Sequence, residues 1–566
     1  MIETYARLEA WLIALRGWRR ALVSFGAGVA TAFAFAPTHL GPVLFAAIPC
    51  LLVLITRCPV SCISPANVSA RSETDHASPT SSWSAFMTAW LFGFGFHLVG
   101  LHWIGNAFLV QADVFAWALP FAVTLMPAGL ALFFGLAGVV TARVPSRVLA
   151  PWAVFVVAFS LAEFARATVF TGFPWNIVGY AITWPLAPMQ ILSVTGLHGA
   201  TVIAFIMALL PALVVSRAAA RRGGVEAAKG RTFGGAGLAF VAALILPMAA
   251  LFAFGAYRLA LPLPADQPAI KLRIVQPSID QTRKWRPDQQ RAIFDEHLQL
   301  ARQGPDGALP DLAGITHVIW AEASMPFRPL KSQPALREID RMLPADVTLI
   351  AGLLRGPTTI GLSVVGELNR APRVYNSVVA FDDTARPLAT YDKIHLVPFG
   401  EYLPFPRLLS AIGFETLVRQ RGGFTPGPRP RSVFRASGLP PIEMLICYEA
   451  IFPHEIGRTI IRPAALFNLT NDGWFGTLSG PYQHFHQTRA RAVEQGLPLV
   501  RVSNNGISAV VDPYGRIKAS IGLNVVGAID SNLPKPIEQP IAGRFANQIF
   551  AVFLALVAAF GVIARR

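Results

Sequence analysis

Up to about residue 258 the chain alternates long apolar runs with short polar breaks. The runs lie at roughly 21–38, 41–57, 85–105, 115–142, 149–169, 189–214 and 234–257, and an eighth lies at roughly 545–563. Each is close to the length of apolar helix that crosses a bilayer, so eight spans are predicted. Met1 to Arg20 is basic and amphipathic, the pattern of a helix on a membrane surface. Ala32-Phe33-Ala34 resembles a cleavage site. A second span follows almost at once, so the first run reads as an uncleaved helix.

Between 259 and 544 the pattern changes. Ile270 to Gln276 alternates and is β-branched, which predicts a strand, and Pro287 to Gln303 predicts an amphipathic helix. Further strands are expected near 317–321, 347–353, 374–381, 442–446 and 464–469. A helix is expected at about 481–495. A hairpin from Val500 to Ala519 should turn at Asp512-Pro513-Tyr514-Gly515. Strands alternating with helices argue an α/β domain. The predicted organisation is therefore a membrane domain over 1–258, an α/β domain over 259–544 and a last transmembrane helix in 545–566.

Composition supports this division. Hydrophobic residues make up 53% and charged residues only 14%, with a mean hydropathy of +0.48, which is a membrane-protein composition. The net charge of +16 would fit nucleic acid, but no zinc-finger spacing, RNP motif or basic repeat accompanies it, so no nucleic-acid partner is expected. Position explains the charge better. With the N-terminus inside and alternating spans, the cytoplasmic segments hold Arg16, Arg19, Arg20, Arg57, Arg143, Arg217, Arg222, Lys229 and Arg565, among others. The short outer loops hold only Arg166. The positive-inside rule then places both termini in the cytoplasm and 259–544 on the outer face, the periplasm of a Gram-negative-type cell.

Three stretches of the α/β segment carry the chemistry. The apolar run Pro441 to Ile446 ends abruptly at Cys447, and Pro453 leads into an expected helix at 454–461. Such a strand-to-turn junction exposes a nucleophile. His317 to Trp320 likewise ends at Glu322, and Tyr391-Asp392-Lys393 precedes a Pro-Phe-Gly-Glu turn containing Glu401. A free thiol has a pKa near about 8.5, so it needs a base for its proton and a cation for the charge that follows. Glu322 suits the first role and Lys393 the second. Of the other cysteines, Cys58 and Cys62 lack the second pair that a zinc site needs, so no metal is expected. His484 and His486 lack a carboxylate cluster. Glu163 and Arg166, at i and i+3 late in the fifth span, are expected to pair with each other.

Glu, then Lys, then Cys at successive strand ends is the pattern of the nitrilase superfamily. The wider chain resembles its bacterial membrane branch, the apolipoprotein N-acyltransferase family. The resemblance rests on Phe33-Ala34-Phe35-Ala36-Pro37, Gly172-Phe173-Pro174-Trp175-Asn176, Lys284-Trp285, Pro398-Phe399-Gly400-Glu401-Tyr402, Cys447-Tyr448-Glu449, Asn471-Asp472-Gly473-Trp474 and Asn504-Asn505-Gly506. It implies eight spans in the bacterial inner membrane and an αββα sandwich in the periplasm. It implies acyl transfer from a membrane phospholipid, through a thioester, to the N-terminal amine of the diacylglyceryl-cysteine of apolipoproteins, with no cofactor. It also implies roles: Glu322 base, Lys393 charge stabiliser, Cys447 nucleophile, Glu401 support for Lys393 or the tetrahedral intermediate, Tyr448 and Glu449 flanking the nucleophile, and Trp285 near the substrate entrance. The chain departs from the family pattern at Ala321, where proline is usual, at Asp392 and Ile394, and in a long polar loop from 58 to 83. The alternative is a membrane-tethered nitrilase or amidase using the same trio on small amides. A transporter would show internal repeats, and none is visible. Two apolar stretches, 358–368 and 405–430, read either as ordinary surface loops or as arms that touch lipid beside the site.

Overall fold

The computed structural model describes residues 2–60, 81–146, 148–220, 234–303, 312–356, 374–405 and 423–564. The apolar stretch at 358–368, most of that at 405–430 and most of the 58–83 loop lie outside these residues. The chain divides into two compact units. The first comprises 1–261, 478–486 and 540–566, and the second 262–477 and 487–539.

The first unit is helical. Its principal helices, Gly17–Ala32, Leu44–Thr56, Ser82–Gly100, Leu119–Arg143, Pro151–Thr168, Leu192–Ala220, Gly234–Leu259 and Ile541–Ala564, fall on the eight predicted runs. Five helices are long and apolar enough to cross a membrane, and a sixth becomes so if Ser82–Gly100 and His102–Leu109, bent by 56°, form one span. Gly41–Thr56 is apolar but shorter, and Gly17–Ala32 has only 16 residues. Leucines and aromatics such as Leu125, Leu136 and Phe560 stay exposed on the outer helix faces, as expected where lipid replaces water. Close approach depends on glycine: a Cβ on Gly28 would lie 2.0 Å from the Phe92 carbonyl oxygen, and one on Gly95 would lie 2.4 Å from that of Phe25.

The expected Glu163–Arg166 pair forms, at 2.5 Å and fully buried. Arg166 also donates to the carbonyls of Phe173 (2.7 Å) and Trp175 (2.9 Å). The pair thereby fixes the Gly-Phe-Pro-Trp loop. Trp175 in turn donates its indole N–H to Gln483 at 2.7 Å, and Gln483 donates to the Ala36 carbonyl at 3.1 Å. Residues 478–486, which the sequence suggested belong with the α/β domain, therefore pack with the helices. His97 is buried against Phe96 and Phe134.

The second unit is built on two mixed sheets. One has six strands in the order β11-β1-β2-β3-β4-β5, and the other five in the order β10-β9-β8-β7-β6. The first contains β1 (Gln267–Gln276), β2 (His317–Met325), β3 (Thr348–Arg355), β4 (Tyr375–Phe381), β5 (Pro387–Asp392) and β11 (Gly527–Leu533). The second contains β6 (Ile442–Ile446), β7 (Ala465–Thr470), β8 (Leu499–Ser503), β9 (Ser508–Val511) and β10 (Ile517–Ile521). β1 to β3 run parallel, as do β6 to β8, and the outer strands are antiparallel. β2 packs against β7 and β8, so the sheets lie face to face.

Helices Gln290–Gln303 and Gln333–Met342 cover the first sheet through Phe294, Leu298, Ile339 and Met342, which meet Val318, Trp320, Leu349 and Phe381. Residues 487–495 of helix Ser479–Gln495 approach the second sheet, where Thr488 accepts from Arg501 of β8 at 3.3 Å. The layering is the αββα sandwich. One local expectation fails. Residues 454–461 form turns, not a helix. Gly457 sits at φ 76°, and its N–H is taken by Glu443 at 2.9 Å, a side-chain acceptor that replaces the helical one.

Candidate active site

Three strand ends and one bulge converge in the second unit. Glu322 lies within β2 where the ladder to β3 breaks: Trp320 pairs with Ala351, but the next pair joins Met325 to Leu353. Ala323 takes a positive φ of 46° there, and Gly352 opposite has no room for a side chain, since a Cβ would lie 2.6 Å from the Glu322 Cα. The bulge re-aims Glu322 out of the strand's alternation. Lys393 follows β5, with its N–H bonded to the Asn376 carbonyl at 2.9 Å. Cys447 follows β6 at φ 50°, opening a tight 3-10 turn to Ile451.

The side chains form one buried polar set. Lys393 Nζ lies 2.9 Å from Glu401 Oε1 and 3.5 Å from Glu322 Oε1. Asn376 Nδ2 donates to both carboxylates, at 2.7 Å to Glu322 and 3.2 Å to Glu401. The second oxygen of Glu322 accepts the Asn471 N–H at 2.9 Å, and that of Glu401 accepts the Val397 N–H at 2.8 Å. Glu322 is thus held by three donors from β4, the end of β5 and the end of β7.

The charges around Cys447 define its chemistry. Burial pushes its thiol well up, and Glu322 and Asp472 add to this. Lys393 and a hydrogen bond with Thr470 oppose them without cancelling them. For Lys393, burial disfavours the ammonium, but Glu401, Glu322 and Cys447 outweigh it and hold the group above its ordinary range. The site at neutral pH is therefore a neutral thiol beside a fixed cation and a carboxylate. Such a thiol reacts only as a base removes its proton.

Glu449 has a different surrounding. Its carboxylate accepts the N–H groups of Ile446 (2.7 Å), Ile394 (2.9 Å) and His395 (3.1 Å) and the Tyr391 hydroxyl (2.9 Å), and it pairs with Arg431 at 3.3 Å. Tyr448 is buried and edge-on to His395 and Phe452. Trp285 is half-buried at the end of the turn Gln281–Lys284, and its indole N–H has no partner among the described residues. The structure therefore brings Glu322, Lys393, Glu401 and Cys447 together, with Glu449 and Tyr448 in the turn itself. His484 and His486 serve in aromatic contacts with Trp175, Tyr180 and His39. Among the described residues no group of three or more His, Cys, Asp or Glu is placed to hold a metal ion.

Sequence reasoning missed Asn376 and gave no role to Lys284 or Asn471, although both lie in the quoted motifs. Asn376 carries one signal: it is a polar residue in a strand whose other positions are almost all buried.

A helical membrane unit joined to an αββα sandwich with cysteine and lysine at its strand ends and glutamate at a strand bulge defines a membrane-bound protein of the carbon–nitrogen hydrolase class. Residues 271–533 match the family model for carbon-nitrogen hydrolase, and residues 27–210 match that for the apolipoprotein N-acyltransferase N-terminal domain. The apolipoprotein N-acyltransferase of Rhodopseudomonas palustris is 37% identical over 99% of this chain and 98% of its own. That of Brucella melitensis is 40% identical over 97% and 96%. An amidase of Nesterenkonia from the nitrilase superfamily aligns with a TM-score of 0.31 at 18% identity, covering 47% of this chain and 92% of that one. The chain belongs to the apolipoprotein N-acyltransferase family.

Proposed function

We propose that this protein transfers an acyl chain from a membrane phospholipid, through a thioester on Cys447, to the N-terminal amine of the diacylglyceryl-cysteine of apolipoproteins. The observation that carries the reading is the buried set of Glu322, Lys393 and Glu401 beside a thiol that burial keeps neutral. Full-length likeness to acyltransferases of this name supports the substrate class. In this reading the protein sits in the inner membrane with residues 259–544 in the periplasm and both termini in the cytoplasm.

The first half-reaction starts from neutral Cys447. Its proton passes to Glu322 as the sulfur attacks the ester carbonyl, and Lys393 holds the oxyanion. The tetrahedral species collapses, Glu322 returns the proton to the departing alkoxide, and lysophospholipid leaves. In the second half the acceptor amine attacks the thioester, Glu322 takes the amine proton, and the cysteine leaves and is reprotonated. The product amide is more stable than the thioester, which drives this half forward. Glu401 fixes Lys393, and Asn376 and the Asn471 N–H fix Glu322.

Purified protein given phospholipid alone should gain the mass of one fatty acyl chain, released by neutral hydroxylamine. A diacylglyceryl peptide with a free amine should then discharge it. Cys447→Ala should gain nothing, and Glu322→Gln should gain it very slowly. Acyl transfer by Cys447→Ala at the normal rate would overturn the reading.

A further inference from the structure

The catalytic set as described leaves one buried charge uncounted. Glu322, Glu401 and Lys393 together carry one net negative charge. Proton transfer from Cys447 to Glu322 moves that charge but does not remove it. A second lysine lies against the backbone of the same glutamate. Lys284 is only 1% exposed, and its ammonium donates to the Glu322 backbone carbonyl at 3.1 Å. Among the described residues no carboxylate forms an ion pair with it.

The turn that carries Lys284 is tied to Glu322 a second time: Gln281 accepts from the Asn471 side chain at 2.9 Å, and the Asn471 N–H donates to Glu322 Oε2. We propose that Lys284 is the second cation of this active site, a positioning residue that balances the Glu322–Glu401 charge while Cys447 reacts. Acyl-enzyme formation then requires Lys284 to be protonated. This rests on Cys447 being the nucleophile.

The groups facing Lys284 are few. They are Glu322 from β2, Cys447 from the end of β6, His297 from helix Gln290–Gln303, and the ring of Trp285, whose centroid lies 5.9 Å away. Burial lowers the Lys284 ammonium to about 8, against the opposing pull of Glu322 and Cys447. Burial and the charge of Lys284 lower His297 to about 4, so His297 stays neutral through the physiological range. Lys393 stays charged, being held above its ordinary range. Lys284 is thus the cation of this set that titrates near neutrality. Below that point it is charged and the set is balanced; above it the set returns to a net negative charge, which opposes development of an oxyanion. No proton of Lys284 moves in the reaction, so bond and proton balance are unchanged.

The test uses the full-length protein with phosphatidylglycerol as the only donor and no acceptor, so that no lipid or peptide amine titrates. The rate of adduct formation is followed by mass spectrometry from pH about 6 to about 10. The wild type should lose rate on the alkaline side, with a midpoint near about 8 and roughly tenfold per pH unit beyond it. Lys284→Arg should keep its rate there, because guanidinium stays charged. Lys284→Met should be slower by about tenfold to a hundredfold at neutral pH and should lack the alkaline fall. A wild-type profile that is flat above that point would overturn the proposal even if neither variant folds, and so would Lys284→Arg or Lys284→Met retaining the wild-type fall. Adduct formation by Cys447→Ala would instead remove the nucleophile assignment, a separate and recognisable result.

Discussion

The residue of this site with the largest unrecognised effect should be Asn376. It stands between two carboxylates, and only an amide nitrogen turned toward them satisfies both oxygens. Its bonds to Glu322 (2.7 Å) and Glu401 (3.2 Å) are charge-assisted. Asn376→Asp keeps shape and volume and removes the donor. A hydrogen bond to a charged group contributes about 1.5–3 kcal/mol, so loss of the Glu322 bond alone corresponds to roughly a 10- to 150-fold change in rate. The new carboxyl also meets two like charges, so it takes up a proton instead of ionising at neutral pH. Protonated, it donates one O–H and restores one of the two bonds.

Asn376→Asp should therefore form the acyl-enzyme about 10- to 150-fold more slowly than wild type at pH about 8 and recover part of the loss toward pH about 6. Single-turnover adduct formation with phospholipid alone reads the rate. Thermal unfolding at each pH separates it from a loss of fold. Asn376→Leu removes the donor without adding an acid, so it should be slow at both pH values. A wild-type rate in Asn376→Asp at the higher pH, or equal recovery of both variants at the lower one, would refute the argument that Asn376 holds Glu322 by donating to it.

Three further outcomes follow from the same geometry. Because burial and Glu322 hold Cys447 neutral, Cys447 in the resting protein should react with iodoacetamide at neutral pH at least tenfold more slowly than a free thiol does, as read by mass spectrometry of the peptide that carries it. Gly352→Ala should destabilise the second unit by about 1–3 kcal/mol and slow adduct formation, since its Cβ would meet backbone of Ala321 at 2.5 Å; denaturant unfolding and the adduct assay check the two halves. Glu455 is opposed by burial but held down to about 2 by its hydrogen bond to His395 and the charges of His395, Arg429 and Arg431. Its folded pKa lies below its unfolded one, so its contribution is full above about pH 4.5 and fades as pH falls toward 2. Glu455→Gln should cost roughly 1–3 kcal/mol near neutral pH, and the difference from wild type should vanish on acidification.

The helices and strands were legible because their periodicities differ. Eight apolar runs became eight helices, and strands such as Ile442–Ile446 and Ala465–Thr470 lie where the apolar runs end. Cys447 was legible as the residue that ends an apolar strand, whereas Glu322, read from the sequence as a strand end, lies inside β2 at a bulge, because that strand runs on to Met325. What escaped depends on pairing across the sandwich. Asn376 meets Glu322 only because β4 lies next to β3 and the β2–β3 ladder breaks by a bulge, which no local pattern encodes. The helix expected at 454–461 failed because Glu443, fourteen residues away, captures the Gly457 N–H. Residues 478–486 read as part of the α/β segment. Their partners, Trp175 and Ala36, are more than three hundred residues away in sequence.

Glu449 shows how two separate strand ends become one site. A carboxylate two residues from the proposed nucleophile invites a chemical role. Its oxygens, however, are already occupied by backbone N–H groups from both sides of the site, by Tyr391 and by Arg431. One of those N–H groups precedes Cys447, and the other two follow Lys393. A single buried anion therefore fixes the β6 turn against the loop after β5, and through them the cysteine against its cation. The positive φ of Cys447 adds to the need: a non-glycine residue in that region costs of order 1–3 kcal/mol unless its surroundings hold it. The turn is held by Glu449 accepting from Ile446 at one end and by Asn468 donating to the Cys447 carbonyl at 3.3 Å at the other. In the proposed mechanism proton transfer falls to Glu322, because taking a proton on Glu449 would release part of the frame that positions Cys447.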